Sequence, residues 1–316
     1  MKPVLSVVVP VFNEQEVIDE SYRRLSAVLS GMEETYELIF VNDGSRDKTM
    51  EKLEKICKND ENVRVINFSR NFGHQPAITA GMEHSAGDAV VVIDCDLQDP
   101  PELIPEMMRK WREGYDVVYG KRTKRKGETW FKKVTASVYY RLLKSMTSFE
   151  IPVDAGDFRL IDRKVCDVMT DIKERNRYIR GLVSWVGFKQ VGVEYVRDER
   201  FAGETKYPLK KMIKLSVDGI TAFSYKPLRL ATTLGFIMAG LSFIYLVVIL
   251  LQRIFTETTV TGWASTIAVV LLTNGIVLIM LGIIGEYIGR IFEEIKGRPI
   301  YIIKEKFGYK EEDAAK

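Results

Sequence analysis

Residues 90–101 read Val90-Val91-Val92-Ile93-Asp94-Cys95-Asp96-Leu97-Gln98-Asp99-Pro100-Pro101. The apolar, β-branched run predicts a buried parallel strand covered on both faces. It stops at three carboxylates, Asp94, Asp96 and Asp99, and the Pro-Pro pair keeps the strand from continuing. In open α/β sheets, ligands collect outside the carboxyl ends of the strands. Asp94 and Asp96 fall on one side of an extended chain, because side chains alternate with period two. Two like charges so close repel each other unless a cation lies between them. Hard oxygen donors suit Mg²⁺ or Mn²⁺, and Mg²⁺ is typically held by one or two carboxylates together with substrate phosphates. The plainer alternative is a solvated acidic turn before a helix, with Asp99 and Glu102 set against the helix dipole. The strand-end position and the rest of the chain favour the cation.

Upstream, residues 4–11 are an apolar run that predicts a first buried strand, followed by Phe12, Asn13 and Glu14. A periodic helix is expected over 16–30 and a second strand over 36–42, ending in Asp43-Gly44-Ser45. The next helix, over 47–58, carries Met50, Leu53, Ile56 and Cys57 on one face. Residues 63–68 predict a third strand, then come Ser69-Arg70-Asn71-Phe72-Gly73 and a helix over 75–85. Downstream of the acidic strand lie a helix over 103–113 and a short strand over 116–120, and residues 189–196 return as a strand. Four β-α alternations with short connections predict an α/β fold with a parallel, doubly wound sheet and right-handed crossovers.

A chain of 316 residues suffices for one large domain or two modest ones. Its formal net charge of +3 argues for no nucleic-acid partner. Cys57, Cys95 and Cys166 are scattered, with neither metal-ligand spacing nor a disulfide framework, which fits a reducing cytosolic setting. The first residues enter a strand pattern almost at once, without a charged-then-apolar leader.

Three strand ends converge on one crevice. The first offers Pro10, Phe12, Asn13 and Glu14, the second Asp43, and the fourth Asp94, Asp96 and Gln98. An acid at the second strand end suits a ribose or a base edge, although an Asp-Gly turn explains Asp43 as well. No G-x-G-x-x-G follows the first strand and no Walker loop occurs, so a nicotinamide cofactor or NTPase chemistry is not expected. Carboxylates and a metal in place of a glycine cradle point to a nucleotide-diphosphate donor.

In this order, V-V-P-V-F-N-E, V-N-D-G-S, S-R-N-F-G, D-C-D-L-Q-D-P-P and G-D-F-R-L resemble the family-2 glycosyltransferases of the GT-A fold. Within that family the chain resembles the dolichyl-phosphate-mannose-synthase-like branch, and most closely the bacterial undecaprenyl-phosphate (bactoprenol) glycosyltransferases, over roughly residues 4–305. The resemblance implies a nucleotide on Pro10, Phe12, Asn13, Glu14 and Asp43, with Asp94 and Gln98 joining them. It implies a metal and a diphosphate on Asp94, Asp96 and Gln98. Cys95, between the metal carboxylates, reads as a neutral, buried variation. Asp157 is placed near the reacting centre, with Asp96 as its catalytic companion; from chemistry alone Asp157 could equally be a helix cap or pair with Arg159.

Residues 121–144 are strongly basic. Most such charges form a solvated face, but Arg122 follows a strand end, and Lys133 and Ser137 lie four apart on one helix face. The branch uses basic groups here for a lipid phosphate, which implies Arg122, Lys133 and Ser137 as its ligands. Residues 197–206 form a polar, glycine-containing stretch that predicts a mobile lid, with Arg200 and Lys206 as further phosphate ligands.

The character changes at residue 207. Residues 207–228 mix lysines with apolar residues, the pattern of a helix lying in the membrane interface, which a core-packed amphipathic helix would share. Residues 230–251 and 264–287 are long apolar runs, each enough to cross a bilayer core. Lys226 and Arg229 flank one end and Arg290, Lys296 and Arg298 the other, so both termini are expected in the cytoplasm. Gly282, Gly285 and Gly289 would permit close helix contact and a homo-oligomer. The expected organisation is a catalytic domain over 1–206, the interface region 207–228, two spans within 229–290, and a cytoplasmic tail over 291–316.

The expectation is a metal-dependent inverting glycosyltransferase, with Mg²⁺ or Mn²⁺, a UDP-sugar donor and a polyprenyl phosphate acceptor. A processive polysaccharide synthase would carry Q-x-x-R-W, which this chain lacks. A catalytically silent membrane scaffold would not need Asp94, Asp96 and Asp157 intact. Asp157 is expected to orient the reacting groups, through the metal or a basic neighbour such as Arg159, and not to abstract a proton.

Overall fold

The computed structural model describes residues 2–124, 152, 155–175, 177–196, 226–255 and 262–309. The chain divides into two compact units, one of Met1–Gly219 with Arg298–Lys316 and the other of Ile220–Gly297.

The first unit is built on strand β1 (Leu5–Val11), all seven residues of which are buried. A strand with no exposed face must sit inside a sheet, and β1 pairs in parallel with β2 (Tyr36–Asn42) on one side and β4 (Ala89–Val92) on the other. The helix between β1 and β2, α1 (Ile18–Ser30), buries Ile18, Ser21, Leu25 and Leu29, the three-and-four spacing of one helical stripe. Helix α2 (Thr49–Asn59) leads to β3 (Val63–Phe68), and α3 (His74–Glu83) leads to β4. A single 3₁₀ turn (Pro101–Leu103) and α4 (Ile104–Arg112) then lead to β5 (Val117–Lys124). Strand β6 (Ala155–Asp162), helices α5 (Arg163–Asp171) and α6 (Ile179–Trp185), and β7 (Gln190–Val196) follow.

The sheet has eight strands in the order β7-β5-β6-β4-β1-β2-β3-β8, where β8 is Ile303–Phe307. It is a mixed, mostly parallel sheet, as the GT-A resemblance implies, although the β-α alternations alone point to parallel strands. β6 runs antiparallel to both β4 and β5, and β8 runs antiparallel to β3. The parallel half is the one with β-α alternations in its sequence. β6 carries Asp157, Arg159 and Asp162, charges that conceal a strand whose first seven residues are all buried.

The second unit holds α7 (Lys226–Phe255) and α8 (Trp263–Ile295). Segments Lys226–Ile249 and Leu272–Ile295 have mean hydropathy 2.1 and 1.8, which makes them candidate membrane spans by length and composition. Their large apolar side chains point outward: Phe236 is 76% exposed and Leu278 68%. Such a surface is at home in hydrocarbon and costly in water. Nothing approaches within 4 Å of where a Cβ would sit on Gly282, Gly285 or Gly289. Residues 207–225, most of the expected interface region, lie outside the described residues.

Candidate active site

The loops after β1 and β2 are fastened to each other. The Asn13 amide donates to Ser45 Oγ at 2.9 Å, and the Arg46 amide donates back to Asn13 Oδ1 at 2.9 Å. The Glu14 amide donates to Thr49 Oγ1, and the Gln15 amide to Asp47 Oδ2. Asn13 takes a positive φ of 53°, a conformation asparagine tolerates because its short amide bonds locally. Phe12, Asn13 and Glu14 are half-buried there, while Pro10 stays inside β1, opposite Val41.

Asp43 closes β2 and is buried. Its carboxylate accepts from the Phe72 amide at 2.6 Å, the Gly73 amide at 2.9 Å and Asn71 Nδ2 at 2.8 Å. Burial raises its pKa, and the two amide bonds oppose that rise. The carboxylate therefore moulds the Ser69–Gly73 loop. Gly44 beside it has φ +66°, and a Cβ there would sit 2.5 Å from the Arg70 carbonyl carbon, so only glycine lets the two loops touch.

Past β4 the chain keeps its alternation. Asp94, Asp96 and Gln98 are half-exposed, while Cys95, Leu97 and Asp99 are buried. Leu97 has φ +59°; it and Asn13 are the two non-glycine residues with positive φ among those described, both just past the ends of neighbouring strands. Strained backbone of this kind persists only where the surroundings over-determine it, and it gathers at functional sites. The Gln98 amide closes the turn onto Asp96 Oδ1 at 3.1 Å. Burial pushes the Cys95 thiol far above its usual range, so it is an inert packing group.

The antiparallel register of β4 and β6, with Val92 opposite Arg159, carries on to bring Asp157 across from Asp94. Asp157 is 4% exposed and is gripped by a fork: Arg180 Nε donates to Oδ1 and Nη2 to Oδ2, both at 2.8 Å. His74, the first residue of α3, stands between the acids, with Nε2 3.5 Å from Asp94 Oδ1 and 3.4 Å from Asp157 Oδ2. Burial alone would lower the His74 pKa, but the charges of Asp94 and Asp157 prevail and raise it to about 9. Burial would raise Asp157, yet the Arg180 guanidinium and His74 hold it well below the usual carboxylate range. Asp94 goes the other way: burial pushes it up to about 6, His74 opposes the rise, and Asp157, Asp99 and Asp96 add to it.

A second charged cluster joins β4 to β5 and β7. Asp99 is wholly buried, accepts from Tyr195 Oη, and lies 3.4 Å from Arg122 Nη2. Arg122 Nε donates to Tyr195 Oη at 3.0 Å. Gly156 makes room for this guanidinium, since a Cβ there would lie 2.4 Å from Arg122 Nη2.

Among the residues expected from sequence, the structure brings together Pro10, Phe12, Asn13, Glu14, Asp43, Asp94, Asp96, Gln98, Asp157 and Arg122 around the carboxyl ends of the strands. Lys133, Ser137, Arg200 and Lys206 lie outside the described residues. One expectation is corrected: the basic partner of Asp157 is Arg180, not Arg159, whose Nη2 donates to the Gly156 carbonyl at 2.6 Å. Two residues were missed. His74 follows Gly73 immediately, one position past the motif, and it is one of only two histidines in the chain. Arg180 lies 23 positions from its partner, in a stretch with no motif to flag it.

Among the described residues, no three His, Cys, Asp or Glu side chains form a metal cage of their own. A cation shared with a diphosphate needs no such cage. The donors present suit it: Asp94 Oδ1 is buried without a hydrogen-bond partner, beside half-exposed Asp96 and Gln98.

Residues 6–169 match the model of glycosyl transferase family 2, and residues 226–291 match the GtrB C-terminal hairpin. The chain is 62% identical over 303 residues to the uncharacterized glycosyltransferase YkcC of Bacillus subtilis (strain 168), covering 96% of this chain and 94% of that protein. It is 42% identical over 300 residues to the prophage bactoprenol glucosyl transferase homolog of Escherichia coli (strain K12), covering 95% and 98%. Among solved structures, glucosyl-3-phosphoglycerate synthase from Mycobacterium tuberculosis aligns at a TM-score of 0.47 and 19% identity, covering 69% of this chain and 78% of that one.

Proposed function

The chain belongs to glycosyl transferase family 2 and is a glycosyltransferase, and from that premise we propose that it transfers a sugar from a nucleotide diphosphate, UDP favoured, to a polyprenyl phosphate at the cytoplasmic face of a membrane. The observation that carries this reading is the meeting of Asp94 and Asp157 across His74, beside Asp96 and at the carboxyl end of the sheet. The relatives named as bactoprenol glucosyl transferases support the acceptor class. The two apolar helices support its delivery from a bilayer. The cationic flanks of the helices, Lys226, Arg229, Arg290, Lys296 and Arg298, support cytoplasmic termini.

Asp94 and Asp96, with Gln98 next to them, would hold a divalent cation, Mg²⁺ or Mn²⁺. Bound there, the ion would supply positive charge for the departing diphosphate. Pro10, Phe12, Asn13, Glu14 and Asp43 form the nucleotide wall on loops fastened together before any ligand arrives, so little ordering cost remains for binding.

Asp157 does not act as a general base in this reading. Both of its oxygens are engaged by Arg180, and the carboxylate stays ionised. The acceptor needs no base: a phosphate monoester has a second pKa near 6, so about neutral pH its attacking oxygen is already mostly an anion. The task is to bring that anion past a set of carboxylates. Arg180 and His74 screen Asp157 and Asp94, and Arg122 holds a fixed positive charge at the end of β5, anchored by Asp99 and Tyr195. Lys133, Ser137, Arg200 and Lys206 are proposed as the remaining acceptor ligands. Attack from the face opposite the diphosphate would invert the anomeric centre.

The test is mass spectrometry of lipid products after incubating the full-length protein with a polyprenyl phosphate, a divalent cation and a panel of UDP- and GDP-sugars. A glycosylated lipid phosphate from at least one donor is expected. No product from any donor, with nucleotide sugar consumed only by another acceptor, would overturn the proposal.

A further inference from the structure

The chain returns to the sheet after the apolar hairpin, and it does so on the side of the donor loops. β8 pairs antiparallel with β3, and the Ser69 amide, at the start of the Ser69–Gly73 loop, donates to the Ile302 carbonyl at 3.0 Å. Glu305 lies opposite Asn67 and accepts from its Nδ2 at 3.2 Å. From there the hydrogen bonds run inward without a break. Asn67 Oδ1 accepts from Asn42 Nδ2 at 2.9 Å, Asn42 Oδ1 accepts from the Ser45 amide at 3.2 Å, and Ser45 Oγ accepts from the Asn13 amide at 2.9 Å. This row starts at the middle of β8, crosses the ends of β3, β2 and β1 and finishes at the positive-φ residue of the first loop.

A second contact runs through rings. Tyr301 stacks on Phe68, with centroids 5.1 Å apart and planes 9° apart, and its hydroxyl donates to Glu83 of α3. Phe68 in turn meets Phe72 edge-on at 5.7 Å. The Phe72 amide is one of the three groups that hold the Asp43 carboxylate. Asn13 is thus four contacts from Glu305, and Asp43 three from Tyr301.

We propose that the segment after the second apolar helix is a positioning element of the donor site: Glu305 and Tyr301 set the loops that carry Asn13 and Asp43, and thereby the affinity for a nucleoside diphosphate. The proposal rests on the donor reading given above. An asparagine side chain in a strand-end row has two ends to satisfy. With Glu305 absent, Asn67 is free to turn its amide, and Asn42 loses the fixed acceptor that orients it toward Ser45. The effect travels by alignment of a row, so it should appear in nucleotide binding before it appears in the stability of the fold.

The experiment is isothermal titration of full-length protein in detergent micelles with UDP and, separately, GDP, each with Mn²⁺. It is paired with melting temperatures and with KM for donor and lipid phosphate. Glu305→Ala is expected to weaken the nucleotide that the wild type binds by about fivefold, the scale of one hydrogen bond. Its donor KM should rise in step, with lipid-phosphate KM and melting temperature unchanged. Glu305→Gln keeps an acceptor oxygen and should restore wild-type affinity. Tyr301→Leu, which loses both the stack and the Glu83 bond, should weaken binding by about tenfold. Wild-type affinity in both Glu305→Ala and Tyr301→Leu overturns the proposal and leaves the donor reading intact. So does a Glu305→Ala loss that follows the melting temperature and is not restored by Glu305→Gln. If Tyr301→Leu does not fold, the Glu305 pair decides alone. A wild type that binds neither nucleotide overturns the donor reading, and this proposal with it.

Discussion

The two halves of the sheet end in different chemistry. At the ends of β1, β2 and β3 the loops are joined by amides and hydroxyls, Asn13, Ser45, Asn42 and Asn67, and by carboxylates such as Asp43 that accept from backbone and side-chain amides and not from cationic side chains. At the ends of β4, β5, β6 and β7 they are joined by charges: Asp94, His74, Asp157 and Arg180 in one cluster, Asp99 and Arg122 with Tyr195 in the other. A base and a ribose are read by shape and hydrogen bonds. A diphosphate and a phosphate monoester must be held by charge. On the proposed function, this fold separates nucleotide recognition from charge handling by strand, and a substitution should reveal its side by what it disturbs.

The largest effect should come from the charged half. Asp94→Asn or Asp96→Asn would remove a proposed ligand of the cation, and turnover should fall by roughly a thousandfold or more. Chelation of the wild type with EDTA should match it, and both are read from product formation. Turnover retained in metal-free buffer would break the comparison at its strongest point.

Arg180→Ala comes next. It strips a 5%-exposed Asp157 side chain of its fork and leaves it only the His74 contact at 3.4 Å, so stability should fall by about 3 kcal/mol, seen as a lower melting temperature. Arg180→Lys should recover only part of this, because an ammonium cannot reproduce two parallel bonds. A variant as stable as wild type would show that Asp157 is held by something else.

The smallest effects sharpen the contrast. Ser45→Ala, on the side of β1, β2 and β3, should cost about 1 kcal/mol and raise the donor KM severalfold, equally at low and high salt. Arg122→Ala, on the other side, should impair lipid-phosphate use, and raising ionic strength should weaken wild-type acceptor binding more than donor binding. Equal salt sensitivity of the two KM values would erase the distinction.

The same division explains what could be read from the sequence. The half at β1, β2 and β3 is made of β-α repeats whose strands are plain apolar runs, and their acidic or amide ends stand out against them. Asp43 was legible for that reason, and so were Asp94, Asp96 and Gln98 in the charged half, because β4 before them is the same kind of plain apolar run. β6 was not, because Gly156-Asp157-Phe158-Arg159 looks like a polar loop until Arg180 neutralises Asp157 and the Gly156 carbonyl receives Arg159. Such pairing is made only by folding, so no local pattern announces it. β8 hid for another reason. Ile303-Lys304-Glu305-Lys306-Phe307 carries the charges that protect an edge strand from pairing with other chains, and these read as a solvated tail. His74 could have been suspected, as one of two histidines in the chain and the residue directly after S-R-N-F-G.

The placement of β8 also orders events during synthesis. The chain leaves the ribosome N-terminus first, so β3 is made long before the strand that covers it. Between the two come both apolar helices. The nascent catalytic unit therefore waits with one flank of its sheet bare, and residues 298–309 can cover it only after the hairpin has been made. A chain whose hairpin stalls short of the membrane would carry an unfinished sheet, and a bare edge is a surface on which quality control can act. Covering that edge last makes the completed sheet a record that the hairpin has already been built.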